Sequence, residues 1–131
     1  MHYVDLVAIL AVFQFVAFTV LTGQARARAG LKAPAMVGDE GFERMYRVQM
    51  NTLEVMVVFL PALFLAAKYW SPVFVAATGA VYLVGRLLYW RAYVADPARR
   101  GPGFALSILP ALVLAVAALV GIFGAIANGV A

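Results

Sequence analysis

Apolar residues in this chain fall into four long runs separated by short polar stretches. The first extends from about Tyr3 to Thr22, with Asp5 near its start, and the second from about Asn51 to Tyr69, interrupted by Glu54 and Pro61. The third covers about Pro72 to Tyr93 and contains Arg86, and the fourth, about Phe104 to Ala127, carries no charge. Roughly 20 mostly apolar residues suffice for a helix to cross a bilayer. The pattern predicts an all-α membrane protein, a four-transmembrane-helix bundle with residues 1–131 in a single domain. Pro61 and Pro110 each remove a backbone donor and are expected to bend their helices.

The connection from about Gly23 to Gly41 is broken by Pro34, Gly38 and Gly41, after which Phe42-Glu43-Arg44 begins a helical pattern. A helix from Phe42 to Trp70 would be roughly 40 Å long at about 1.5 Å per residue, against a hydrocarbon core of about 30 Å. Its first turns are expected to stand above the bilayer. A cleaved signal peptide needs a positive segment before its apolar run. Here Arg26 and Arg28 follow the run, so the first helix is expected to stay in place.

Composition strengthens the membrane reading. The chain is 66% hydrophobic and 12% charged, with mean hydropathy +0.95, whereas a soluble domain is about 45–50% apolar and about 25% charged. That balance excludes a soluble globular enzyme, a disordered chain and a nucleic-acid-binding arm. No cysteine is present and His2 is the single histidine, so neither a thiolate nor a histidine-rich metal site is available. All the Lys and Arg residues except Lys68 lie in or beside the first and third connections. The positive-inside rule makes that side cytoplasmic, with both termini outside. Tyr3, Tyr69 and Trp70 suit the outer interface, and Trp90 and Tyr93 the inner one. The short connections favour a bacterial inner membrane over endoplasmic reticulum.

Residues three, four and seven apart share a helix face. Arg47, Asn51 and Glu54 form one polar stripe on the second helix, and Arg86, Tyr89 and Tyr93 another on the third. An ionisable residue at the centre of a span costs about 2.5–3.5 kcal/mol on insertion scales, and such residues face a partner or a wet cavity. The stripes therefore leave two readings open: Arg86 and Glu54 neutralise each other, or the stripes line a ligand site. A small polyanion bearing an ammonium group would fit such a site, its carboxylates on the arginines and its ammonium on Glu54.

The run Phe42-Glu43-Arg44-Met45-Tyr46-Arg47-Val48-Gln49-Met50-Asn51-Thr52-Leu53-Glu54 resembles the MAPEG family, the membrane-associated proteins in eicosanoid and glutathione metabolism. Thr22 to Arg28, Val81 to Arg86 with Tyr89 and Tyr93, and Arg99-Arg100 ahead of Leu109-Pro110 agree with it in order. The resemblance implies a homotrimer with glutathione as cosubstrate in a cleft between neighbouring subunits. It implies that Arg26, Arg47, Gln49, Asn51, Glu54, Arg86, Tyr89 and Tyr93 hold the tripeptide. It also implies that Arg100 activates the thiol for attack on a lipophilic second substrate that partitions from the bilayer, with membrane lipids as partners and no metal. Peroxidase chemistry would use the same thiolate. The alternatives are a non-catalytic lipid-binding scaffold, a small proton-coupled exporter using Glu54, and a purely structural oligomer. Retention of Arg47, Glu54 and Arg100 favours the enzyme.

Overall fold

The computed structural model describes residues 1–129; the last two positions of the expected 1–131 domain lie outside the described residues. Four helices follow in order: α1 (His2–Ala29), α2 (Glu40–Tyr69), α3 (Pro72–Ala95) and α4 (Gly101–Ala127), with a single 3-10 turn at Pro97–Arg99 before α4. The described residues contain no strand. All four helices are long and apolar enough to cross a membrane. Every helix except α3 outruns its apolar run by several residues at the cation-rich end, because backbone hydrogen bonding continues where the side chains turn polar.

Local chemistry sets the ends. Gly30 closes α1 in the left-handed conformation (φ 69°), which costs glycine nothing, and its N–H bonds to Ala27 O. Asp39 caps α2, its carboxylate accepting the Phe42 N–H at 2.9 Å. With 30 residues α2 is about 45 Å long and exceeds the hydrocarbon core by several turns. Both α2 and α4 run unbroken through Pro61 and Pro110.

In the bundle α1 packs on α2 and α3, and α4 packs on the same two helices. One apolar core, including Val7, Phe59, Leu63, Tyr82 and Leu114, fills the half away from the arginines. Phe59 and Tyr82 stack with centroids 3.7 Å apart. A smaller core of Phe18, Met45, Val48 and Tyr89 lies towards the cation-rich end. Large apolar side chains such as Phe13, Val57 and Phe123 point outwards, far more than water tolerates in one contiguous surface.

Helices α3 and α4 approach each other backbone to backbone. A Cβ built on Gly85 would lie 2.5 Å from the Leu106 carbonyl carbon, and one on Gly103 would overlap the Tyr89 backbone. Pro110 has no N–H to give the Leu106 carbonyl, and α3 approaches that carbonyl at Gly85. Small residues here let two backbones meet, which decides where Arg86 and Tyr89 sit relative to α4.

Candidate functional site

A cleft of about 390 Å³ opens at the cation-rich end, lined by Arg47 and Asn51 from α2, Tyr89 and Tyr93 from α3, and Arg100 and Phe104 at the start of α4. Its volume falls in the range usual for small-molecule sites. Helical periodicity aligns Arg47 with Asn51, and Tyr89 with Tyr93, one turn apart. The Tyr89 ring lies 5.5 Å from that of Tyr93 and 6.3 Å from that of Phe104. Arg47 Nη2 pairs with Glu54 Oε1 at 2.8 Å, both side chains being about half exposed. Glu54 is thus joined to the cleft through Arg47 without lining it.

Arg100 stands between the 3-10 turn and α4, its Nη1 donating to Pro97 O at 2.9 Å. No other bond from its guanidinium forms among the described residues, and the side chain is exposed at the cleft mouth. Arg44 donates to the Val94 and Ala95 carbonyls at 3.0 and 3.1 Å, tying the start of α2 to the end of α3. It also pairs with Glu40. A second opening, lined by Glu40, Glu43 and Arg44 among others, adjoins the cleft through Arg47 and Tyr93.

Arg86 is wholly buried directly behind the cleft wall. Its Nε donates to Ser107 Oγ at 2.8 Å, and its Nη1 donates to Asn51 Oδ1 at 2.8 Å and Thr52 Oγ1 at 3.2 Å. The guanidinium carbon lies 4.3 Å from the Tyr89 ring centroid. Nη2 has no partner, and among the described residues no carboxylate pairs with Arg86. The Arg86–Glu54 neutralisation left open by the sequence is therefore not made: Glu54 lies on the Arg47 side of α2, while Arg86 bridges α2, α3 and α4 through neutral acceptors.

The cleft gathers Arg47, Asn51, Tyr89, Tyr93 and Arg100. It does not gather Arg26 or Gln49. Arg26 donates to Ala35 O at 2.8 Å and lies 4.5 Å from the Phe42 ring centroid, holding the first connection. Gln49 is half-buried on another face of α2. Sequence reasoning missed Thr52, Ser107 and Phe104. Thr52 and Ser107 were findable in principle as polar residues within apolar runs; Phe104, an apolar residue opening the fourth run, carried no such signal.

The MAPEG family model matches residues 4–120. This chain belongs to the MAPEG family. It is 44% identical over 117 residues to an uncharacterized protein of Synechocystis sp., spanning 89% of this chain and 85% of that one. It is 37% identical over 122 residues to microsomal glutathione S-transferase 2 of Homo sapiens, spanning 93% of this chain and 80% of the relative. It is 32% identical over 114 residues to leukotriene C4 synthase of Bos taurus, spanning 86% and 76%. The resemblance carried by Phe42 to Glu54 is borne out at family level. MAPEG membership and the four apolar helices make the chain an integral membrane protein.

Proposed function

We propose that this MAPEG protein is a membrane-bound glutathione S-transferase, with glutathione-dependent peroxidase chemistry available to the same thiolate. The observation that carries the reading is the gathering of Arg47, Asn51, Tyr89, Tyr93 and Arg100 around one cleft. Glutathione offers two carboxylates, one ammonium and a thiol. Arg47 and Arg100 supply the cations for its carboxylates and sulfur, Glu54, paired with Arg47 just beyond the cleft lining, meets an ammonium that extends past the cleft edge, and the two tyrosines give hydroxyl donors.

A free thiol has a pKa near 8.5, and a neighbouring cation lowers it. The Arg100 guanidinium has no acceptor site for the thiol proton, so that proton leaves to water and the guanidinium stabilises the sulfur anion. The sulfur electron pair then forms the bond to an electrophilic carbon of a lipophilic substrate, and the displaced electrons leave with the departing group. Proximity supplies the rest, since one reactant arrives from water and the other from the bilayer. We further propose a homotrimer in which Arg26 and Gln49 serve a neighbouring subunit's cleft, because neither reaches the cleft of its own chain. The cation-rich connections then face the cytoplasm, in a bacterial inner membrane, with both termini outside.

The deciding experiment is glutathione titration of the detergent-solubilised protein with thiolate absorbance followed on mixing. Saturable binding with a thiolate signal at neutral pH supports the transferase. Absence of binding in a well-folded oligomer overturns it and leaves the lipid-binding scaffold.

Glu54→Gln is expected to weaken glutathione binding by up to about 1 kcal/mol, a several-fold rise in Kd, because a half-exposed charge pair with the ammonium is lost. Its exposed ion pair with Arg47 contributes less than about 1 kcal/mol to the fold, so the melting temperature in detergent should barely move. A large loss of stability with unchanged affinity would reverse the assignment.

Arg86 acts here as a positioning residue. Its bond to Asn51 Oδ1 commits that oxygen and leaves the Asn51 amide N–H groups for the ligand. Hydrogen bonds within membrane proteins average about 0.6 kcal/mol each, so three sum to about 2 kcal/mol, comparable to the cost of about 2.5–3.5 kcal/mol for a central arginine. Arg86→Met is therefore expected to leave stability within about 1 kcal/mol while raising the glutathione KM on the order of tenfold. Arg86→Lys, which keeps the charge but not the three-way fork, should recover little of it. An unchanged KM in Arg86→Met would remove the positioning role.

A further inference from the structure

Most of the chain's cations are engaged within the protein. Arg26, Arg44, Arg86 and Arg100 donate to backbone or neutral side-chain oxygens, and Arg44, Arg47 and Arg99 pair with carboxylates. Arg28, Lys32, Lys68 and Arg91 do neither among the described residues. Arg91 lines a small groove on α3 that adjoins a larger one, lined by Arg28, between the end of α1, the start of α2 and the end of α3.

The larger groove has a volume of about 340 Å³ and is walled by Leu21, Ala25, Trp90 and Val94, with Arg28 and Asp39 at its polar edge. Arg91 lines the shallower continuation that shares Trp90 and Val94, its guanidinium carbon 5.4 Å from a Trp90 ring centroid. The Trp90 ring itself rests 5.8 Å from Phe18. The Asp39 carboxylate is committed to the Phe42 N–H at the start of α2. Two unpaired guanidinium groups against one engaged carboxylate leave the edge cationic, while the floor is apolar.

We propose that this α1–α3 groove binds one anionic phospholipid, its phosphate between Arg28 and Arg91 and an acyl chain along Leu21, Ala25 and Trp90. The charge fits: a basic edge between helices at the membrane surface attracts anionic headgroups. The amphipathic split also fits, because Trp90 offers an apolar face at headgroup depth. A water-soluble anion would use the arginines but leave the apolar floor uncovered. The site is independent of the glutathione cleft and shares no lining residue with it.

The test uses the intact detergent-solubilised protein in mixed micelles holding equal phosphatidylglycerol and phosphatidylcholine, with retained lipid read by native mass spectrometry. Wild-type protein is expected to retain phosphatidylglycerol preferentially. Each arginine near an anionic surface is worth about fivefold, so R28Q/R91Q should lower the preference by an order of magnitude or more. R28K/R91K should restore much of it, and glutathione affinity should stay unchanged in both. Equal retention of the two lipids by wild-type protein overturns the site, as does undiminished preference in a folded R28Q/R91Q variant. Glutathione binding is read separately, so failure of the transferase reading would leave this result intact, and the reverse.

Discussion

Arg100→Ala is expected to lower turnover by about a hundredfold or more while glutathione affinity changes only a few-fold. Removing one preorganised group aimed at developing charge commonly costs about 10²–10³ in kcat. Arg100 is suited to that part because its bond to Pro97 O holds the guanidinium at the cleft mouth. Its loss removes a cation from the sulfur and leaves Arg47, Asn51 and the tyrosines to hold the tripeptide. Single-turnover kinetics with thiolate absorbance separates the two effects. A variant that binds glutathione, shows no thiolate at neutral pH and regains it at high pH matches the assignment. Unchanged turnover would take Arg100 out of the chemistry.

Gly103→Val is expected to destabilise the bundle by about 3 kcal/mol or more, the upper range for overpacking, because backbone and not a flexible side chain lies in the way. A Cβ at Gly103 would overlap the Tyr89 backbone, so α3 and α4 must separate. Separation would break the Arg86–Ser107 bond and pull Tyr89 and Phe104 apart, so the cleft would be lost with the fold. Thermal unfolding in detergent measures it. Gly124→Ala on the same helix is the control, since nothing lies within 4 Å of its Cβ position. Equal melting of both variants would mean that close α3–α4 approach does not limit stability.

Much of the architecture was legible along the chain. The four spans were visible because each must be apolar over about 20 residues whatever it packs against. The early start of α2 was legible at Phe42, and Asp39 moved it only as far as Glu40. Four cleft residues, Arg47, Asn51, Tyr89 and Tyr93, were legible because period and polarity coincide within single helices, whereas Arg100 was reached only through the family resemblance. Arg86 was recognised as deep and polar, but its partners were not, since Asn51, Thr52 and Ser107 come from two other helices. Arg26 and Gln49 carried a motif yet lie away from the cleft of their own chain.

By itself the sequence determined which segments are helical, how long they run, which ends collect positive charge and which family the chain joins. All of these follow from local rules: hydrogen bonds inside one helix, the cost of charge in hydrocarbon, and residue order in a motif. Only the tertiary structure decided that Arg86 is held by neutral acceptors from two other helices and not by Glu54, and that Arg28 and Arg91 lie at adjoining grooves away from the cleft. Those pairings depend on the rotation and depth of one helix against another. Contacts such as Gly85 against Leu106 and Gly103 against Tyr89 set that geometry, and no periodicity within a single helix encodes it.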